Sequence, residues 1–123
     1  MINEKLLEVL NNEGVVAIVT QGKNEPHVVN TWNSYLKITE DGSIFGPVGG
    51  MRTTETNLQE NNKVLVTLGS RDVQGFHSMG TGFLITGTAE IIAEGSEFDR
   101  IKQSFPWARA TILIKPQSIT QTL

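Results

Sequence analysis

Val15-Val16-Ala17-Ile18-Val19-Thr20, then Gln21-Gly22-Lys23-Asn24-Glu25-Pro26, then His27-Val28-Val29-Asn30-Thr31-Trp32: two runs rich in β-branched residues flank a hexapeptide of turn formers. Branching at Cβ disfavours the helix and suits a pleated surface. Gly22, Asn24 and Pro26 punctuate the chain between the runs. The reading is an antiparallel hairpin, and the unbroken apolar character of the first run predicts a strand covered on both faces.

Towards the N-terminus, Ile2, Leu6, Val9 and Leu10 have helical spacing, with Asn3 as N-cap and Gly14 beyond the end, so a helix is expected over residues 4–12. Downstream, Tyr35 to Thr39 and Ile44 to Val48 flank Asp41-Gly42, a strong signal for a second hairpin. Thr53 to Asn62 is polar and rich in capping residues, which favours a short helix. Val64 to Leu68 and Thr81 to Ile92 read as strands, separated by a loop over Asp72 to Gly80. Ser96 is placed to cap a helix presenting Phe98 and Ile101. Ala110 to Ile114 begins a last strand that Pro116 interrupts and that Gln117 to Leu123 can resume. The fold expected is mainly β: an antiparallel Greek-key split β-barrel of six to seven strands with three short helices, whose closure would remove exposed strand edges.

A chain of 123 residues suits one domain, taken as residues 1–123. It contains no cysteine, so a disulfide, a thiolate nucleophile and a cysteine-ligated cluster are excluded. Redox chemistry would have to come from a bound organic cofactor. The net charge is −3 and the ten Lys and Arg are scattered, which argues against nucleic acid. No apolar run approaches the roughly 18 residues of a membrane span, and the polar start does not read as a signal peptide. The expectation is a cytoplasmic protein with no membrane association. His27 and His77 lack metal-ligand spacing, and Ser34, Ser70 and Ser78 lack an identifiable base, so no catalytic residue is assigned.

Two stretches carry the candidate chemistry. Pro47-Val48-Gly49-Gly50-Met51-Arg52-Thr53-Thr54 runs from a strand through two glycines into a helix start. Glycine permits close backbone approach, a helix N-terminus favours a phosphate, and Arg52, Thr53 and Thr54 add donors. A plain turn followed by a threonine N-cap explains the same residues. Asn30-Thr31-Trp32-Asn33-Ser34-Tyr35 mixes hydrogen-bonding groups with two large aromatics, which suits a flat heteroaromatic ligand. For Trp32, as for Trp107 before the last strand, core packing is the competing reading.

Taken in order, EGVVAIVTQG, PHVVNTWNSYLKI, GPVGGM, TLGSR, GTGFLI, FPWARA and the terminal QTL resemble the small FMN-binding proteins of sulfate-reducing bacteria, within the pyridoxamine-phosphate-oxidase-like split barrels. The resemblance implies FMN as cofactor and a homodimer with the flavin site at the subunit interface. It implies that Asn30, Thr31, Trp32, Ser34 and Tyr35 line the flavin, that Pro47, Val48, Gly49 and Gly50 run along it, and that Thr54 binds the phosphate. Trp107 and Leu123 match residues reaching the partner subunit's flavin, and Glu13 an acid beside it. Where the family carries a lysine before that threonine, this chain has Thr53, and Arg52 stands next to it as the substitute cation. The function implied is electron transfer with an unidentified redox partner protein. The alternatives are a flavin reductase or pyridoxamine-phosphate-oxidase-like enzyme acting on NAD(P)H or another small substrate, or a barrel for a different ligand.

Overall fold

The computed structural model describes residues 1–123. The chain runs α1 (Glu4–Leu10), β1 (Val15–Thr20), β2 (His27–Trp32), a 3-10 turn (Asn33–Tyr35), β3 (Lys37–Ile38), β4 (Ile44–Val48), α2 (Arg52–Glu60), β5 (Lys63–Gln74), β6 (Met79–Ile92), α3 (Ser96–Ser104) and β7 (Ala110–Gln121). All strand pairs are antiparallel, in the order β2-β1-β5-β6-β7-β4-β3. This is the expected mainly β split barrel with three short α-helices. Closure by hydrogen bonding is not reached: β2 and β3 remain the two edges of one curled sheet. No helix is long and apolar enough to cross a membrane.

Alternation along the strands sends Val16, Ile18, Val64, Val66, Leu68, Phe83, Ile85, Ile112 and Ile114 into one core, which Leu6 and Val9 of α1 and Leu58 of α2 complete. A second cluster of Phe45, Ile101, Ala108 and Leu113 lies on the opposite face of the β4–β7 ladder, beneath α3. β4 is therefore buried at every position. The sheet formed by β2, β1 and β5 has no such cover. Val15, Val28, Trp32 and Leu65 stand exposed on its outer face, so β1 is buried on one side only, contrary to its unbroken apolar sequence.

Other expectations need correction. α1 stops at Leu10, because Asn11 closes the helix with its N–H on Leu7 O, and Gly14 plays no part in the cap. Tyr35 belongs to the 3-10 turn, leaving β3 only two residues long. The loop over Asp72 to Gly80 is mostly a hairpin: β5 runs to Gln74, β6 starts at Met79, and Gly75 N donates to Ser78 O across the turn. An irregularity between Ser70 and Gln74 lets Val73 reach the core. At α3 the N-cap is Gly95, with φ 103°, while Ser96 begins the helix and bonds Glu97 instead. Pro116 does not interrupt β7. A bulge between Thr86 and Gly87 accommodates it beyond the stretch where β4 also pairs with β7.

Candidate functional site

At the end of β4 the chain turns through Gly49 and Gly50 into α2 over Met51, whose φ of 58° is the one left-handed non-glycine conformation in the chain. Such a conformation costs about 1–2 kcal/mol and requires local support. Met51 packs against the main core, which supplies it. Met51 is the N-cap residue and provides no side-chain cap, so neither Thr53 nor Thr54 serves as one. The N–H groups of the first turn lack intrahelical partners by construction. Thr54 is fully buried and its Oγ1 has no partner, whereas Arg52 and Thr53 are exposed. Uncapped donors and an exposed guanidinium are groups that could hold an anion, and in the same turn the buried Thr54 hydroxyl lacks a partner.

Arg109, just ahead of β7, ties this turn together. Its Nε donates to Gly49 O at 2.9 Å, its Nη2 to Gly50 O at 2.6 Å and to Glu55 Oε1 at 2.9 Å. Its backbone N–H bonds Val48 O. Trp107 lies over Gly49 so closely that a Cβ there would sit 3.2 Å from Cζ3 of the indole, while nothing lies within 4 Å of a Cβ built at Gly50. A side chain at 49 would thus press on the indole and require it to shift, while the space beside Gly50 is open. Trp107, Phe105 and Tyr35 form a cluster with centroids 4.9–6.2 Å apart. Lys102 of α3 holds the segment by donating to Pro106 O and Ala108 O. Trp107 is 56% and Trp32 44% exposed, so neither is a core tryptophan.

Glu13, before β1, meets the 3-10 turn. Ser34 Oγ donates to its Oε2 at 2.7 Å, and the backbone N–H groups of Ser34 and Gly14 donate to Oε1. These donors, the Ser34 hydroxyl foremost, hold the carboxyl below the ordinary glutamate range. A depressed carboxyl contributes stability above its unfolded pKa and loses it as pH falls through the folded value. Ser34→Ala is expected to move the Glu13 titration upward toward the ordinary range, read by carboxyl carbon NMR; an unmoved titration contradicts the assignment to Ser34.

The sequence candidates therefore fall into three groups. Gly49, Gly50, Arg52, Thr53, Thr54 and Trp107 gather at the start of α2, with Tyr35 joined through Trp107. Glu13 and Leu123 line a separate open groove with Val15, Met79 and Thr81, where Thr81 Oγ1 donates to Leu123 O at 2.7 Å. Trp32 and Asn30 face outward on β2, paired with Val15 and Ala17, while Thr31 is buried on the inner side. Pro47 and Val48 bury their side chains and offer only main chain. Sequence reasoning missed two residues of the region, Arg109 and Asn33. Both belonged to quoted stretches, but only the fold shows their main-chain acceptors.

The chain matches the pyridoxamine 5′-phosphate oxidase family over residues 2–122. It belongs to that family. It is 53% identical, over the whole of both chains, to an FMN-binding protein of Nitratidesulfovibrio vulgaris. Among solved structures of this split-barrel fold, HupZ of Group A Streptococcus superposes with a TM-score of 0.80 at 20% identity, covering 99% of this chain and 100% of the other. An FMN-binding protein of Syntrophomonas wolfei gives 0.74 at 20% identity, over 98% and 85%. The present member of the oxidase family thus shares its overall fold with these structures.

Proposed function

We propose that this protein binds FMN non-covalently and serves as a small redox flavoprotein in the cytoplasm, acting as a homodimer. The observation that carries the reading is the identity of 53% to an FMN-binding protein, over the whole of both chains. The cradle supports it independently, because its donor set fits a phosphate monoester: first-turn N–H groups, Arg52, and the unpartnered Thr54 hydroxyl.

In this reading the α2 N-terminus and Arg52 neutralise the phosphate, and Thr54 and Thr53 add hydroxyl donors. Gly49 and Gly50 let main chain lie against the ring system, where Asn30, Thr31, Ser34 and Tyr35 offer edge contacts and Pro47 and Val48 shape the floor. Trp32 shields the ring from water, and Trp107 reaches toward the flavin of the partner subunit. Bound FMN supplies reversible electron transfer at its isoalloxazine ring. Glu13, fixed as a carboxylate by Ser34, places negative charge near that ring and disfavours added electrons. Glu13→Gln is therefore expected to raise the reduction potential in a potentiometric titration; no change or a fall contradicts this placement.

The uncovered outer face of β2, β1 and β5 supports the dimer. Val15, Val28, Trp32 and Leu65 form an apolar face of the kind that a second copy buries, bringing Leu123 and Trp107 toward the partner's flavin. Sedimentation is expected to give twice the chain mass, and Val28→Lys with Leu65→Lys to give the chain mass. An undissociated double variant places the interface elsewhere.

The family's description as an oxidase favours a second reading, a flavin-dependent oxidoreductase acting on NAD(P)H or another small substrate. Visible absorption of the purified protein tests the flavin, which gives a recognisable two-band spectrum. Stopped-flow mixing with NADH or NADPH then separates the readings: slow bleaching fits a carrier that takes electrons from a redox partner protein, and rapid bleaching fits an enzyme.

A further inference from the structure

Glu55 raises an electrostatic difficulty that the phosphate cradle must solve. It sits in the first turn of α2, the turn that carries the uncapped N–H groups, and its carboxylate lies 3.7 Å from Nη1 of Arg52, the cation assigned to the phosphate. A carboxylate there competes with any anion for both the helix terminus and the guanidinium. The competing charge is held more closely by a second cation. Arg109 takes the same Oε1 at 2.9 Å, and the Arg109 and Glu55 side chains are only 24% and 27% exposed, against 76% for Arg52. The short, partly buried contact outweighs the long, exposed one, because partial burial reduces screening while exposed pairs are worth little.

We infer that Arg109 is a positioning residue for phosphate recognition: by sequestering Glu55, it leaves Arg52 and the α2 N-terminus free for the anion. Three further bonds fix it in this role. Its Nε and Nη2 hold the Gly49 and Gly50 carbonyls, and its N–H holds Val48 O, so the side chain cannot follow the ligand. It also points those two carbonyl oxygens at a cation, so they need not face a phosphate. The Thr54 hydroxyl, buried in the same turn, is without a hydrogen-bond partner.

This inference rests on the FMN reading, so the test compares FMN with riboflavin, which shares the ring and lacks the phosphate. Fluorescence titrations at low salt would use the full-length wild type, Arg109→Met, Arg109→Lys, Glu55→Gln and the double variant Glu55→Gln/Arg109→Met. Arg109→Met is expected to weaken FMN by about tenfold more than riboflavin, the scale of one charge-assisted contact. In the double variant most of that extra loss is recovered, because no carboxylate remains to capture Arg52. Arg109→Lys, which keeps the charge but not the fork, is expected to fall between wild type and Arg109→Met. Equal losses for FMN and riboflavin, or no recovery in the double variant, would overturn the inference. If Arg109→Met does not fold, Glu55→Gln and Arg109→Lys decide it. Unchanged or tighter FMN in the first with a phosphate-specific loss in the second supports the role, and weaker FMN in the first overturns it. Failure of the FMN reading itself appears separately, as a wild type that binds neither flavin.

Discussion

Asn33→Ala is expected to destabilise the protein by about 2–4 kcal/mol, the range for removing a buried donor shared by several main-chain acceptors. Asn33 is fully buried in the 3-10 turn after β2. The two hydrogens of its Nδ2 are shared among Val9 O, Asn12 O and Gly69 O, joining the end of α1 to β5, and its main-chain N–H donates to Gly14 O. Val9 O keeps another donor in Asn12 N, so Asn12 O and Gly69 O bear most of the loss. The site cannot relax inward. A Cβ on Gly14 would already lie 1.9 Å from Gly69 O and 2.8 Å from Nδ2 of Asn33, so the packing admits no other side chain. Asn33→Asp, which sets an acceptor against those oxygens, is expected to be worse. Urea unfolding measures both; a loss below about 0.5 kcal/mol for the alanine variant would show that water or the main chain replaces the amide.

Arg52→Ala is expected to raise the FMN dissociation constant about tenfold or more, through loss of roughly 1.5–3 kcal/mol of charge-assisted bonding. The fold is expected to be unaffected, because the Arg52 side chain is 76% exposed and its one ion pair is long. The departure at Thr53 makes this residue decisive. The threonine is exposed and uncharged, so in the first turn of α2 the remaining exposed cation is Arg52. Isothermal titration with FMN and riboflavin separates the effects: riboflavin affinity stays within about twofold, while FMN affinity falls. Unchanged FMN affinity would remove Arg52 from the site and leave the phosphate to the helix terminus alone.

Part of the fold was legible in the sequence. The β1–β2 hairpin, β4 and the long β6 were legible because branching at Cβ, an Asp-Gly turn and strict alternation are local signals. The extension of β5 through Asp72 and Gln74 was not, since polar residues around Val73 hide a strand whose pairing depends on β6. Ser96 read as the cap of α3, but the backbone places Gly95 there, at a positive φ that the sequence pattern does not signal. At the site, the glycines and the helix start were visible, but their arrangement was not. Arg109 reaches Gly49 and Glu55 from some 60 and 54 positions away. Asn33 looked like one polar residue in a mixed segment, though its partners lie on α1 and β5. Side chains that serve distant main chain leave no periodic trace.

The most direct test of the account is the visible spectrum of the protein saturated with FMN and then desalted. A retained two-band flavin spectrum, equimolar with the chain, is expected, lost when the phosphate cradle is disabled by Arg52→Ala with Thr54→Val. A colourless wild type after desalting, or a double variant that retains flavin as well as wild type, would contradict it.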